Sequence, residues 1–389
     1  MKKTYDDSPK KSRPWLIAIP TVLIVLLGII WSGFWYWASN KAEAAMMTWR
    51  SHEASAGRLY DCASTAFSGY PFRIVVDCAE PSVDDRATSL SIKAHSLAAV
   101  AQVWDPTLVI GEVTAPLTVG PLGGAPTVTM NWTLAQASLR GTPGAPERLA
   151  VVVDKPNATA STGEPVAAAD HMELHGRFNP DDHAAIDLAF DVKHGTAPAL
   201  AASLGNLGPL VSAGADLQIV GVLRGVSELR MKPLVQQLRE IQAAHGALEI
   251  SSARLQQSDL IAGANGILTL TERGTLSGNM KVTVVNLPRL IQMLGIDRAL
   301  GKAVPQEAIN HYAPALDRLV PGLGIALRGR DGGASGGGGA VALATAGAAM
   351  LGGQQTEFEG RQAVTMTLRF EDGTAYLGPL KVAQIPPLY

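Results

Sequence analysis

The sequence predicts a β-rich α+β protein: one N-terminal transmembrane helix, then antiparallel sheets with a few amphipathic helices. Three observations carry this. Residues 15–37, WLIAIPTVLIVLLGIIWSGFWYW, contain no charged side chain. Period-two alternation of apolar and polar residues recurs in separate blocks over the rest of the chain. Stretches with helical spacing are few and short.

The apolar run comes first. At 1.5 Å per residue it reaches roughly 35 Å as a helix, enough for the hydrocarbon core of a bilayer. Lys2, Lys3, Lys10, Lys11 and Arg13 precede it, against only Asp6 and Asp7. The positive-inside rule then puts the tail, residues 1–14, in the cytoplasm and the bulk of the chain across the membrane. Trp15 marks the entry, and Trp31, Phe34, Trp35, Tyr36 and Trp37 form an aromatic belt at the exit. Ala42-Glu43-Ala44 resembles a signal-peptidase site, but a signal h-region is about 7–15 residues and this run is longer. A retained signal anchor over 15–37 is therefore expected, with a juxtamembrane helix over 38–57 that Gly57 ends.

Composition excludes some functions. Net charge is −2, with no basic excess to hold nucleic acid. Apolar residues make up 47%, sufficient for a packed core, but aromatics are only 5% and four of the seven Trp lie in the anchor. The exported core is thus expected to be Ala, Val and Leu. The two cysteines, Cys62 and Cys78, both fall in the exported part, where an oxidising compartment permits a disulfide. A free pair or a catalytic thiol is the alternative.

The predicted β-rich domain covers 58–330. Strands are expected at 72–76, at 90–94, through 128–134, at 172–178 and at 186–192, with turns such as 120–126 and 141–146 between them. Residues 197–211 are weakly helical and 232–245 (KPLVQQLREIQAAH) an amphipathic helix with Leu234, Leu238 and Ile241 on its apolar face. A second sheet block runs from 247 to 287, followed by helices at 287–294 and 305–320. A Gly/Ala-rich flexible segment, 331–353, precedes C-terminal strands over 354–389: one through Val364–Phe370, a turn at Asp372-Gly373, and a last strand AYLGPLKVAQI.

Chemical motifs are weak. Gly333–Gly337 fits G-x-S-x-G but lies in a glycine tract without the strand and helix a nucleophile elbow needs. GIDRALGK, 295–302, misses the P-loop spacing and has Ala303 where a Mg²⁺-binding hydroxyl belongs. His171, Glu173 and His175 share one face of a strand with Arg177; a solvated polar face explains them, and a metal-dependent hydrolase is the reading they would otherwise support. No catalytic residue, metal or cofactor is assigned.

The pattern Cys62…GYPFRI…Cys78, with Gly69, Tyr70, Pro71, Phe72, Arg73 and Ile74 as the motif, resembles the start of a bacterial envelope family known as domain of unknown function 2125. The C-terminal EDGTAYLGPL, 371–380, fits the same family. The block 258–294 looks like the strand–Gly–strand–short-helix unit of the broader AsmA-like group. The resemblance implies an inner-membrane anchor, a periplasmic β-rich domain, and curved sheets whose apolar concave face holds acyl chains. This chain is shorter than the AsmA-like members that cross the periplasm.

The expectation is thus a single-pass inner-membrane protein, N-terminus in the cytoplasm and bulk in the periplasm, with an AsmA-like apolar groove that binds phospholipid, acyl chains or another amphipathic envelope component. The groove residues expected are Met130, Trp132, Leu268, Leu270, Met280, Val282, Val284, Met366 and Leu368. Ordinary core packing is the alternative for each of them. At the level of the whole protein, the alternative is a structural or assembly protein that binds other envelope proteins.

Overall fold

A computed structural model describes residues 14–142, 145–201, 204, 208–226, 234–293, 353–378 and 380–389. The tail before residue 14, the helix expected at 305–320 and the Gly/Ala-rich segment 331–352 lie outside the described residues.

The chain begins with one unbroken helix, α1 (Pro14–Ser55), which runs through the anchor, the Ala42-Glu43-Ala44 site and the juxtamembrane segment. It is long and apolar enough to cross a membrane. Gly57, at φ +87°, turns the chain off its end.

Everything after it is organised by one large curved antiparallel sheet of 21 strands among the described residues. The first strands are β1 (Arg58–Asp61), β2 (Ser64–Ser68), β3 (Arg73–Ala79), β4 (Ser82–Asp85), β5 (Leu90–Gln102), β6 (Asp105–Pro121), β7 (Val128–Asn131), β8 (Leu134–Thr142), β9 (Ala145–Asp154), β10 (Asn157–Ala160) and β11 (Pro165–Ala168). They are followed by β12 (His171–Phe178), β13 (Ala185–Gly195), β14 (Ala215–Arg224), β15 (Ala247–Gln257), β16 (Leu260–Leu270) and β17 (Leu276–Val285). The last four are β18 (Gln354–Phe358), β19 (Arg361–Glu371), β20 (Thr374–Leu377) and β21 (Leu380–Gln384). Four short helices interrupt them: α2 (Pro198–Ala201), α3 (Gly208–Ser212), α4 (Leu234–Ala243) and α5 (Leu287–Met293).

Hydrogen bonding runs without a gap along β2–β3–β5–β6–β8–β9–β12–β13–β14–β15–β16–β17–β19–β20–β21. The long strands β5 and β6 fork: their outer halves pair with β4 and β1 on one side and with β7, β10 and β11 on the other. Gly266 (φ +156°) and Gly278 (φ +141°) lie where β16 and β17 approach too closely for a Cβ, which would meet the neighbouring strand's backbone.

Three local expectations are corrected. The strand expected through 128–134 is two strands, because Trp132 and Thr133 leave the ladder as the chain crosses from the β7 branch to β8. The Trp132 indole donates to the Val113 carbonyl at 2.8 Å, and the Thr133 amide to Asp154 at 3.0 Å. The last strand is a hairpin, β20–β21, turned at Gly378 (φ +57°). On α4, Ile241 is buried but Leu234 is exposed, so the apolar face is narrower than its spacing implies. The Asp372-Gly373 turn is present, both residues at positive φ (49° and 79°) as a type I′ hairpin requires.

Cys62 and Cys78 are bonded, Cα–Cα 5.5 Å, tying the β1–β2 connection to β3.

Candidate functional site

Because side chains alternate along each strand, the register of neighbours decides what a face presents. Followed rung by rung, one face is apolar from end to end. One rung reads Ile74, Ala101, Val109, Leu139, Leu149, Gly176, Leu188, Gly221, Ile250, Gly266, Met280, Leu368 and Leu377. The rung beside it reads Val76, Ala99, Gly111, Ala137, Val151, Leu174, Phe190, Ile219, Ala253, Ala264, Val282 and Met366. No polar side chain interrupts either.

The two ends of this face are covered differently. From β14 onward large side chains close a core: Val284 and Met366 are 1% and 2% exposed, packed with Leu260, Phe370 and Leu377 under Leu287 of α5. Ile241 of α4 closes a smaller core on Ile186, with Phe178, Leu188 and Leu223 beside it. Among the described residues before Phe178, Ile74, Cys78, Val103 and Ala158 are buried, but none joins a larger apolar cluster. Over β5, β6, β8 and β9 the face is lined by Ala99, Ala101, Gly111, Ala135 and Ala137, with Val109, Val113, Val151 and Val153 between them, all half-buried. Leu174 on β12 is 38% exposed. Small residues on neighbouring strands line this half of the face, the trough.

Seven of the nine expected groove residues, Leu268, Leu270, Met280, Val282, Val284, Met366 and Leu368, share this face. Met280, Val284 and Met366 lie within the closed core, and Leu268, Val282 and Leu368 pack against it. Met130 does not join them: it pairs with Leu117 and Ala158 in the forked branch, beyond the irregular register at Ala94–Ser96. Trp132 stands between strands. The sequence reading missed the trough residues of β5–β9, because Ala and Gly give weak alternation; only the cross-strand register reveals them.

The opposite face is mixed: a rung of Val75, Val100, Ile110, Ser138 and Ala150 runs beside a polar one, and Ile261, Val285 and Ala363 form a small apolar cluster farther along. Asp154, His171, Glu173 and His175 form a hydrogen-bonded row there: His171 Nδ1 to Asp154 at 2.6 Å, His171 Nε2 to Glu173 at 2.8 Å, and His175 Nε2 to Glu173 at 3.1 Å. The Glu173 and Asp154 contacts raise the His171 pKa above its ordinary 6.5; the His175 and His171 contacts lower that of Glu173 below 4.5. Carboxylates occupy both ring nitrogens of His171. Among the described residues no group of three His, Cys, Asp or Glu is placed to hold a metal. An open hollow of about 690 Å³ lies mainly on this outer face, between Asn265, Lys281 and Thr367.

The third feature is where the GYPFRI motif goes. It docks on the exit end of α1. The Trp31 indole donates to the Pro71 carbonyl at 2.9 Å, the Trp35 indole to the Arg73 carbonyl at 2.8 Å, and Ser32 and Tyr70 share a hydroxyl hydrogen bond at 2.8 Å. Trp35 meets Tyr70 edge-on and Trp31 leans on Phe72. Farther along, Trp49 packs on Tyr60, and Arg50 pairs with Asp61.

These features define a β-rich protein with one apolar N-terminal helix docked to the first strands of a large antiparallel sheet. The chain belongs to domain of unknown function 2125, a family described as an uncharacterized protein conserved in bacteria, whose pattern matches residues 35–386. No curated protein matches the chain.

Proposed function

We propose that this protein is a single-pass inner-membrane protein, with its N-terminus in the cytoplasm and its sheet in the periplasm. In this reading the sheet holds the acyl chains of a lipid, or another amphipathic envelope component, along its apolar face, in envelope homeostasis or lipid transport. The observation that carries it is the unbroken apolar face with no core cluster over β5–β9 among the described residues. A continuous apolar face that no core closes is a candidate binding surface in a folded protein. The six strands β3, β5, β6, β8, β9 and β12 span about 24 Å across their hydrogen bonds, more than the roughly 15 Å depth of one leaflet. Each methylene buried there contributes about 0.8 kcal/mol. The AsmA-like resemblance points the same way, and no bond-making step is required.

Retention of the anchor is supported by the docking of Tyr70, Pro71 and Arg73 on Trp31, Ser32 and Trp35, which cleavage after Ala44 would abolish.

The test is lipid mass spectrometry on the full chain in detergent, beside an Ala137→Trp variant that fills the trough. The anchor carries the same annular lipid in both. The wild type is expected to retain at least one additional lipid per chain; equal lipid content in the two would refute the reading.

A further inference from the structure

Two loops stand beside the exit of α1 and expose aromatic rings. One is the motif loop with Tyr70 and Phe72, each 56% exposed; the other is the β5–β6 turn with Trp104, 59% exposed. They are one unit: the Val103 amide donates to the Phe72 carbonyl at 3.2 Å, and the Phe72 and Trp104 rings meet at 6.1 Å. Ile74 and Val103 are buried directly behind them, so the rings are held from the protein side.

We propose that Tyr70, Phe72 and Trp104 form a wedge that sits in the lipid–water interface of the same membrane that α1 crosses, on its exit side. The inference rests on the reading of α1 as a retained anchor. Counting 1.5 Å per residue from Trp15, Trp31 lies about 24 Å and Trp35 about 30 Å along the helix, the depth at which a hydrocarbon core ends. Pro71 and Arg73 are hydrogen-bonded to those two indoles, which sets the motif loop at the same depth. Tyr70 and Trp104 have the polar edge that favours this layer, and Phe72 adds apolar area between them. Arg73, exposed beside them, is placed to meet lipid phosphates. The occupant is a lipid surface because the patch is continuous with the helix that enters it, through the contact of Phe72 with Trp31. The consequence concerns the sheet: Ile74, which starts one apolar rung, then lies at the boundary where acyl chains leave the bilayer.

The native cysteines are bonded to each other, so one added cysteine can carry an environment-sensitive fluorophore. Four full-length variants, Trp104→Cys, Phe72→Cys, Leu27→Cys within the apolar run of α1 and Thr162→Cys in the exposed β10–β11 turn, are labelled and reconstituted in phosphatidylethanolamine–phosphatidylglycerol nanodiscs. Each is quenched with nitroxide-bearing phospholipid and with aqueous iodide. Lipid nitroxide is expected to quench positions 72 and 104 at least threefold more than position 162, and position 27 as well. Quenching at 27 with positions 72 and 104 behaving like 162 overturns the wedge and leaves the anchor standing. Shielding of 72 and 104 from both quenchers means that protein covers them, and also overturns it. Absence of lipid quenching at 27 overturns the anchor and the wedge together.

Discussion

The indole nitrogen of Trp35, in the apolar helix, donates a 2.8 Å hydrogen bond to the backbone carbonyl of Arg73, in the GYPFRI motif. The apolar helix and the β2–β3 pair are therefore one packed unit, and the motif is explained by what it touches: Pro71 and Arg73 present carbonyls to indoles, and Tyr70 presents a hydroxyl to Ser32.

The mature protein is accordingly expected to keep its N-terminal segment. Intact-mass measurement of protein extracted from membranes should give a chain that includes Trp15–Trp37. A chain starting just after Ala44 would contradict this.

The two ends of the apolar face should respond differently to truncation. Met366, 2% exposed in the closed core, should cost about 2–5 kcal/mol on replacement by Ala. Leu174, 38% exposed over the trough, should cost no more than about 1 kcal/mol. Urea denaturation of the two variants checks the contrast, and equal losses would mean that the trough is as closed as the core.

Removing the Cys62–Cys78 bond with a double Ser substitution should lower stability by about 3 kcal/mol, the chain-entropy value for a loop of this size. The readout is the denaturation midpoint with and without reductant: the wild type should fall to the variant's value when reduced, and the variant should not move.

Stability should also depend on pH through the row on the outer face. His171 has its pKa raised, first by Glu173 and then by Asp154, so its contribution is complete below about 6.5 and is lost as pH rises through the higher folded value. Glu173 has its pKa lowered, first by His175 and then by His171, so its contribution is present above about 4.5 and is lost as pH falls through the lower folded value. The row therefore stabilises most between these limits. His171→Gln should flatten the alkaline side of the profile, measured by thermal midpoints from pH 4 to pH 9 (about the range set by those two groups); an unchanged slope would contradict the assignment. The groups are largely solvated, so the effect should be small and weakened by salt.

Much of this was legible in the residues. A charge-free run with aromatic ends predicts one long helix, and Val364, Met366, Leu368 and Phe370 alternate so cleanly that β19 could be drawn in advance. His171, Glu173 and His175 do share the outer face of one strand. What the sequence hid depends on pairing. Ala99, Gly111 and Ala137 carry almost no periodic signal singly, yet they line up across three strands. Met130 alternates as convincingly as Met280, but belongs to a branch because β6 is long enough to serve two neighbours at its two ends. Trp132 fits a strand by spacing and is drawn out of it by its hydrogen bond to Val113. The motif's partner could not be read at all, since Trp31 and Pro71 are 40 residues apart.

The central claim is that lipid lies on one face of the sheet and not on the other, and Val151 and Val152 separate the two faces within one strand: Val151 pairs with Leu174 in the apolar rung, Val152 with Glu173 on the polar side. A photoreactive amino acid placed at each position in the full chain, irradiated in native membranes, tests it most directly. Lipid adducts are expected at 151 and none at 152; no adduct at 151, or equal adducts at both, would overturn the lipid-binding reading.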